Sequence, residues 1–304
     1  MLMFLEQILN GLQYSALLFL LSAGLTLVFG IMNVINLTHG SFYMIGAFCA
    51  AVAIAKTGSF LAALLAALVG ASLYGLAVEL LVVRHLYRRD HLDQVLATLG
   101  ISLFTNELVT VVFGRRPPMI QLPDLLAGSV QIVPGLAYPI MRLAFIGAGA
   151  LVAVLLWWLI ARTRVGMLVR AGADDAEMVE GLGVNIQRLF TLVFTLGALL
   201  CGFAGVMAAP LLAVEIGMGE RILITTLVVI VVGGVGSVRG ALAGSLLIGL
   251  TDALGRAYIP QFASLLLPPQ LSDPLSSSFV SASIYILMAI VLLFKPRGLL
   301  PARH

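Results

Sequence analysis

The chain has 304 residues, of which 61% are hydrophobic and only 10% charged, and its mean hydropathy is +1.11. A soluble domain is close to half apolar and a quarter charged, so this composition excludes one. The formal net charge of +3 is not gathered into a basic face, which removes the usual footing for nucleic acid. Recurrent long apolar stretches point instead to an all-α, polytopic transmembrane bundle in contact with membrane lipid.

The opening "MLMFLEQILNGLQ" has no Lys or Arg and runs into an apolar segment too long for a secretory signal, so it is expected to remain in the mature protein. Hydropathy then predicts spans near 8–32, 41–55, 60–83, 94–113, 142–161, 189–213, 222–232, 241–254 and 279–294, about eight to ten membrane segments in one domain over 1–304. The segments 222–232 and 241–254 are too short to cross about 30 Å of hydrocarbon alone. They flank "GGVGSVRG" and read as broken helices or a glycine-bent hairpin. Cys49 and Cys201 lie in apolar stretches and are expected to pack as small hydrophobes.

Basic residues set the orientation. With the tail "KPRGLLPARH" in the cytoplasm, eleven basic residues fall inside (Arg84, Arg88, Arg89, Arg162, Arg164, Arg170, Arg188, Arg239, Lys295, Arg297, Arg303). Six fall outside (Lys56, Arg115, Arg116, Arg142, Arg221, Arg256), which favours a cytoplasmic C-terminus and a periplasmic N-terminus. The proline-rich stretches 114–141 and 255–278 then become external loops, expected to be irregular.

Catalytic signatures are missing. A P-loop needs Gly-Lys followed by Ser or Thr, and the two lysines, Lys56 and Lys295, follow Ala and Phe, not Gly. The histidines His39, His85, His91 and His304 make no metal-ligand spacing, so no metal site, cofactor or enzyme activity is expected.

The apolar pattern breaks once, in the cytoplasmic loop 162–188, at "AGADDAEMVEGLG". Asp174 suits an N-cap, Glu177 a capping box and Gly183 a left-handed stop, which predicts a helix over 175–182. Met178, Val179 and Leu182 would share one face. The acidic set Asp174, Asp175, Glu177 and Glu180 disfavours anionic lipid, so this helix is expected to meet a protein. Polar groups within spans mark a second candidate, because they are costly at membrane depth unless paired or wet. These are Asn33, Asn36 and His39 in "NVINLTHGS", with a self-satisfied loop as the alternative, and Glu107; Gly233, Gly234 and Gly236 in "GGVGSVRG", which let helices bend and pack closely, join them as candidates for a translocation pathway.

The interruption resembles the cytoplasmic coupling loop of ABC importer permeases: Glu177-Met178-Val179, three residues, then Gly183 stands where that family has Glu-Ala-Ala, three residues, then Gly. "GLTLVFGIMNVINLTHGSFYMIGAF" and "VVGGVGSVRGALAGSLLIG" resemble two signatures of the branched-chain amino acid permeases, and 170–207 is similar to the same family. The chain is thereby identified as a member of that family, of the Liv H type. The resemblance implies a subunit of the bacterial inner membrane without its own ATPase site. It would pair with a second homologous permease, two cytoplasmic ATP-binding subunits and a periplasmic solute-binding protein. An ion-coupled secondary transporter and a passive channel are the competing readings.

Overall fold

A computed structural model describes residues 1–87, 89–114, 126–266 and 269–301. Its framework is helical: α1 (Leu2–Met32), α2 (His39–Thr57), α3 (Phe60–Val78), a π-helical turn (Glu79–Val83) leading into α4 (Arg84–Leu86), and α5 (His91–Phe113). After a short hairpin of β1 (Ser129–Val133) and β2 (Leu136–Pro139) come α6 (Ile140–Arg162), α7 (Arg164–Asp174), α8 (Ala176–Gly181), α9 (Ile186–Ala208), α10 (Met218–Gly233), α11 (Val238–Leu266) and α12 (Pro269–Phe294). Among the described residues, eight helices are long and apolar enough to cross a membrane.

The centre is α1, whose most apolar window is 89% buried. It packs on α11 along one side and on α9 along the other, with α6 and α10 also against it. On the far side of α9, α2 and α3 complete a tight group, while α12 lies outside α11. Helices α3, α5, α6 and α12 are at most 28% buried and turn broad apolar faces outward, to lipid or to partner subunits. Small residues let the inner helices touch backbone to backbone, since hydrocarbon gives no hydrophobic drive for association. A Cβ on Gly40 of α2 would stand only 2.2 Å from the Gly219 carbonyl of α10.

Two expectations are corrected. The segment 241–254 is not a short piece: α11 has 29 residues, about 43 Å of helix, and spans alone. The stretch 255–278 is helical wherever it is described, because α11 continues through Pro260 to Leu266 and Pro269 opens α12. Proline at the first helical position loses no bond, which is why it did not mark a loop there. By contrast α10 has 16 residues, about 24 Å, and remains short of a full crossing. Within 114–141, residues 115–125 lie outside the described residues, and the rest forms the antiparallel hairpin. Tyr138 of β2 and Arg142 of α6 both donate to Asn10 Oδ1, which ties the hairpin to the start of α1. Both cysteines are free thiols.

Candidate functional site

The break between α1 and α2 is re-entrant. Asn33 ends α1 in the left-handed region at φ 50°, where Asn is tolerated, and its N–H donates to the Phe29 carbonyl at 2.9 Å. The chain then turns back into the bundle before α2 starts. His39, the first residue of α2, puts Nε2 3.0 Å from the carbonyl of Leu21. Leu21 is eleven residues, about 16 Å of helix, before Met32, so α2 begins well inside the end of α1. The contact of Gly40 with Gly219 sets the start of α10 at the same depth. Helix α9 passes Ala47, seven residues along α2 from Gly40, and the chain then drops back by about 10 Å to begin α10. Two helix starts thus meet inside the bundle.

A polar seam joins them to α5. Gln94, Thr98, Ser102 and Thr105 form one buried stripe of α5, while Leu96, Leu99, Leu103 and Phe104 face outward. Gln94 Oε1 accepts from Ile35 N–H and Thr98 Oγ1 from Leu37 N–H, both at 3.2 Å, and Thr38 Oγ1 donates to the Thr98 carbonyl. Asn36, 1% exposed, accepts from Thr38 N–H at 2.9 Å. The seam continues through Ser41 and Ser102, whose hydroxyls are 3.2 Å apart, to Glu220 of α10. Glu220 Oε1 accepts from Ser102 at 3.0 Å and from Asn106 at 2.6 Å.

The predicted pathway residues separate accordingly. Asn36 and His39 are both 1% exposed and enclosed, and His39 Nε2 also lies 3.0 Å from Cys201 Sγ. Asn33 is exposed at the end of α1. Glu107 is exposed too and is not the carboxylate of the seam; its neighbour Asn106 reaches Glu220 instead. Gly233, Gly234 and Gly236 make the turn between α10 and α11, with φ of 109° at Gly234 and 79° at Gly236. A Cβ on Gly30 of α1 would stand 3.0 Å from Gly236, so the two glycine-rich signatures touch.

Sequence reasoning missed Glu220. The signal is there, as Glu220 and Arg221 interrupt an apolar run, but only Arg221 enters the reading, as an external basic residue. In the structure Arg221 follows Glu220 in the first turn of α10, at the depth of Gly40, and pairs with Glu215. The side chains of Arg221 and Glu215 are 64% and 47% exposed. A second missed carboxylate is Glu79, 0% exposed in the π-helical turn, which accepts from Tyr87 at 2.6 Å and Thr191 at 3.0 Å and pairs with Arg84 at 3.4 Å. It locks the end of α3 onto α9.

The short polar helix is present, one residue shorter at each end than predicted and with its cap moved by one residue. Asp174 closes α7, an amphipathic helix the sequence reading left as loop, and Asp175 is the N-cap of α8. Asp175 Oδ1 accepts from Met178 N–H at 2.9 Å, so Glu177 falls in the first turn and not at the capping-box position. The cap moved because Asp175 has the extended backbone (φ −151°, ψ 97°) that a cap requires, whereas Asp174 is helical. Gly183, at φ 86°, ends the turn after Leu182 as expected. The predicted apolar face divides: Val179 is 6% exposed and packs into the main core, while Met178 and Leu182 stand 64% and 78% exposed. Glu177 and Glu180 flank them, also exposed.

The sequence pattern of the family described as branched-chain amino acid transport system / permease component matches residues 7–294, nearly the whole chain. The chain belongs to this family. Among its relatives, the permease protein LivH of the high-affinity branched-chain amino acid transport system of Escherichia coli is 30% identical over 98% of this chain and 95% of its own length. BraD, the corresponding permease protein of Pseudomonas aeruginosa, is 29% identical with the same coverage. A probable LivH of Methanocaldococcus jannaschii is 26% identical over 84% of this chain and 82% of its own length. Membership in this permease family agrees with the multi-pass helical bundle.

Proposed function

We propose that the chain is the membrane-spanning subunit of an ATP-driven importer that carries branched-chain amino acids or a related small polar solute. One observation carries the pathway: the Glu215–Arg221 pair is half to two-thirds exposed, with Arg221 in the first turn of α10 beside the start of α2. Charges there need water or protein beside them, and a solute path between two permeases supplies both. The path runs along the face that carries Arg221, Glu215, Asn106 and Glu220, and a second homologous permease closes it. Neighbouring charges of both signs suit a zwitterionic solute. Asn36 and His39 hold the start of α2 at that depth, and the turn at Gly233, Gly234 and Gly236 holds the base of α10.

Energy arrives in trans. Two cytoplasmic ATP-binding subunits hydrolyse ATP and dock on α8, where Met178 and Leu182 project between Glu177 and Glu180. A periplasmic binding protein delivers the solute, and the chain lies in the bacterial inner membrane with its C-terminus in the cytoplasm. The purified chain is expected to hydrolyse no ATP, and to bring down the two ATP-binding subunits when co-expressed with them. Robust turnover by the isolated polypeptide would end this reading.

A further inference from the structure

A cavity of about 1190 Å³ opens at the α7–α8 end of the bundle, between α1, α6, α7 and the start of α11. Part of its wall is apolar and exposed: Val154 and Trp157 of α6 and Leu242 of α11 are 61%, 48% and 37% exposed. The spanning part of α6 is only 17% buried, so this side of the cavity lies at the uncovered outer face of the bundle.

Its polar groups are few: Ser237 accepts from Gly240 N–H, while others are unmet. Thr26 of α1 is 1% exposed and lines the cavity, yet its hydroxyl has no partner. Other span threonines, such as Thr98, Thr105 and Thr110, donate to the carbonyl four residues back; Thr26 does not. At the mouth stand Arg170 of α7 and Arg239 of α11. Among the described residues neither has a carboxylate within ion-pair distance. Asp174 lines the same mouth, which leaves a net charge of one positive there.

We propose that this cavity binds an anionic glycerophospholipid. Its phosphate lies between Arg170 and Arg239, where guanidinium groups at a membrane edge attract anionic headgroups. Thr26 is one helical turn, about 6 Å, deeper than Gly30 on the same wall. That depth below a phosphate is where a glycerol ester carbonyl sits, and the Thr26 hydroxyl donates to it. An acyl chain leaves between α6 and α11 past Trp157. Because Arg170 belongs to α7 and Arg239 to the first turn of α11, the bound lipid ties the support of α8 to the start of α11.

The chain has two tryptophans, so Trp158→Phe leaves Trp157 as the only reporter in the full-length protein. Its fluorescence is followed in nanodiscs while brominated phosphatidylglycerol or brominated phosphatidylcholine is raised as a small mole fraction. Half-quenching is expected at roughly fivefold lower fraction of the anionic lipid, from about fivefold per guanidinium less the opposing Asp174. Arg170→Gln with Arg239→Gln should erase that preference, and 0.5 M salt, on the order of a 4 Å screening length, should shrink it in the parent protein. Thr26→Val should weaken both lipids alike, because both carry the ester. Equal quenching by the two lipids, or a preference that survives both the arginine substitutions and salt, would overturn the proposal.

Discussion

Asn106 donates to Glu220 at 2.6 Å across 114 positions of sequence, and this bond fixes α5 to α10. Side-chain bonds between helices in membranes average about 0.6 kcal/mol, while bonds to a charged group reach about 1.5–3 kcal/mol. Glu220 therefore outweighs the neutral Ser41–Ser102 contact in holding α5. Glu220→Ala should cost about 1–3 kcal/mol, since Asn106 and Ser102 lose their shared acceptor. Glu220→Gln keeps an oxygen and should cost clearly less. The check is a thermal-melt cycle with Asn106→Ala, in which the double variant should lose less than the sum of the singles; simple additivity would mean the bond carries no stability.

The two faces of α8 should respond differently. Val179 is in the core, and Val179→Asp should destabilise the fold by several kcal/mol through a buried, unpaired charge. Leu182 is exposed, so Leu182→Asp should leave the melting temperature nearly unchanged. It should still weaken capture of the ATP-binding subunits, as burying one such side chain is worth roughly 1.5–3 kcal/mol, about ten- to a hundredfold. Copurification together with melts separates these outcomes. Normal capture by Leu182→Asp would make α8 an ordinary surface turn.

Burial, and then its hydrogen bond to the Glu79 carboxylate, push the Tyr87 phenol well above its ordinary value of 10.0. The unfolded phenol ionises near that value while the folded one stays protonated. The stability this group contributes is thus complete below about pH 10 and is lost as pH rises beyond it toward the folded value. Tyr87→Phe should be less stable at neutral pH, having lost the Glu79 bond, but should lose less on going from pH 9 to pH 11. Parallel alkaline losses in the two proteins would show that Tyr87 titrates freely.

The basic bias, eleven residues against six, favours a cytoplasmic C-terminus. A phosphatase fused after His304, which folds only in the periplasm, should be inactive, and a fluorescent protein at the same place should mature. The opposite pair of results would invert every depth assigned along α1 and α10.

The long spans were legible because apolar runs are their own signal, and 60–83, 94–113 and 142–161 fall close to the helices observed. Where the reading failed, the deciding information was tertiary. The polar stretch at Asn33–Ser41 was visible, but its depth comes from His39 reaching the Leu21 carbonyl, a contact no local pattern reports. The same holds for Glu220, whose partners Ser102 and Asn106 belong to another helix. The polar stripe of α5 was readable in principle, at 94, 98, 102 and 105, yet mild Thr and Ser residues hid it within a hydrophobic average. Pro260 and Pro269 suggested loop, although one continues a helix and the other begins one. Two adjacent aspartates left the α8 cap uncertain by one residue, because either carboxylate could serve and only the backbone decides.

The central claim is that this permease moves solute on energy supplied by other subunits, past the charged pair at Glu215 and Arg221. It is tested most directly by uptake of labelled leucine into proteoliposomes holding the permeases, ATP-binding subunits and binding protein. Uptake should require ATP, persist when ionophores collapse all ion gradients, and fall at least tenfold in Arg221→Ala with assembly intact. Uptake that continues without ATP, or that follows an ion gradient, would contradict the account.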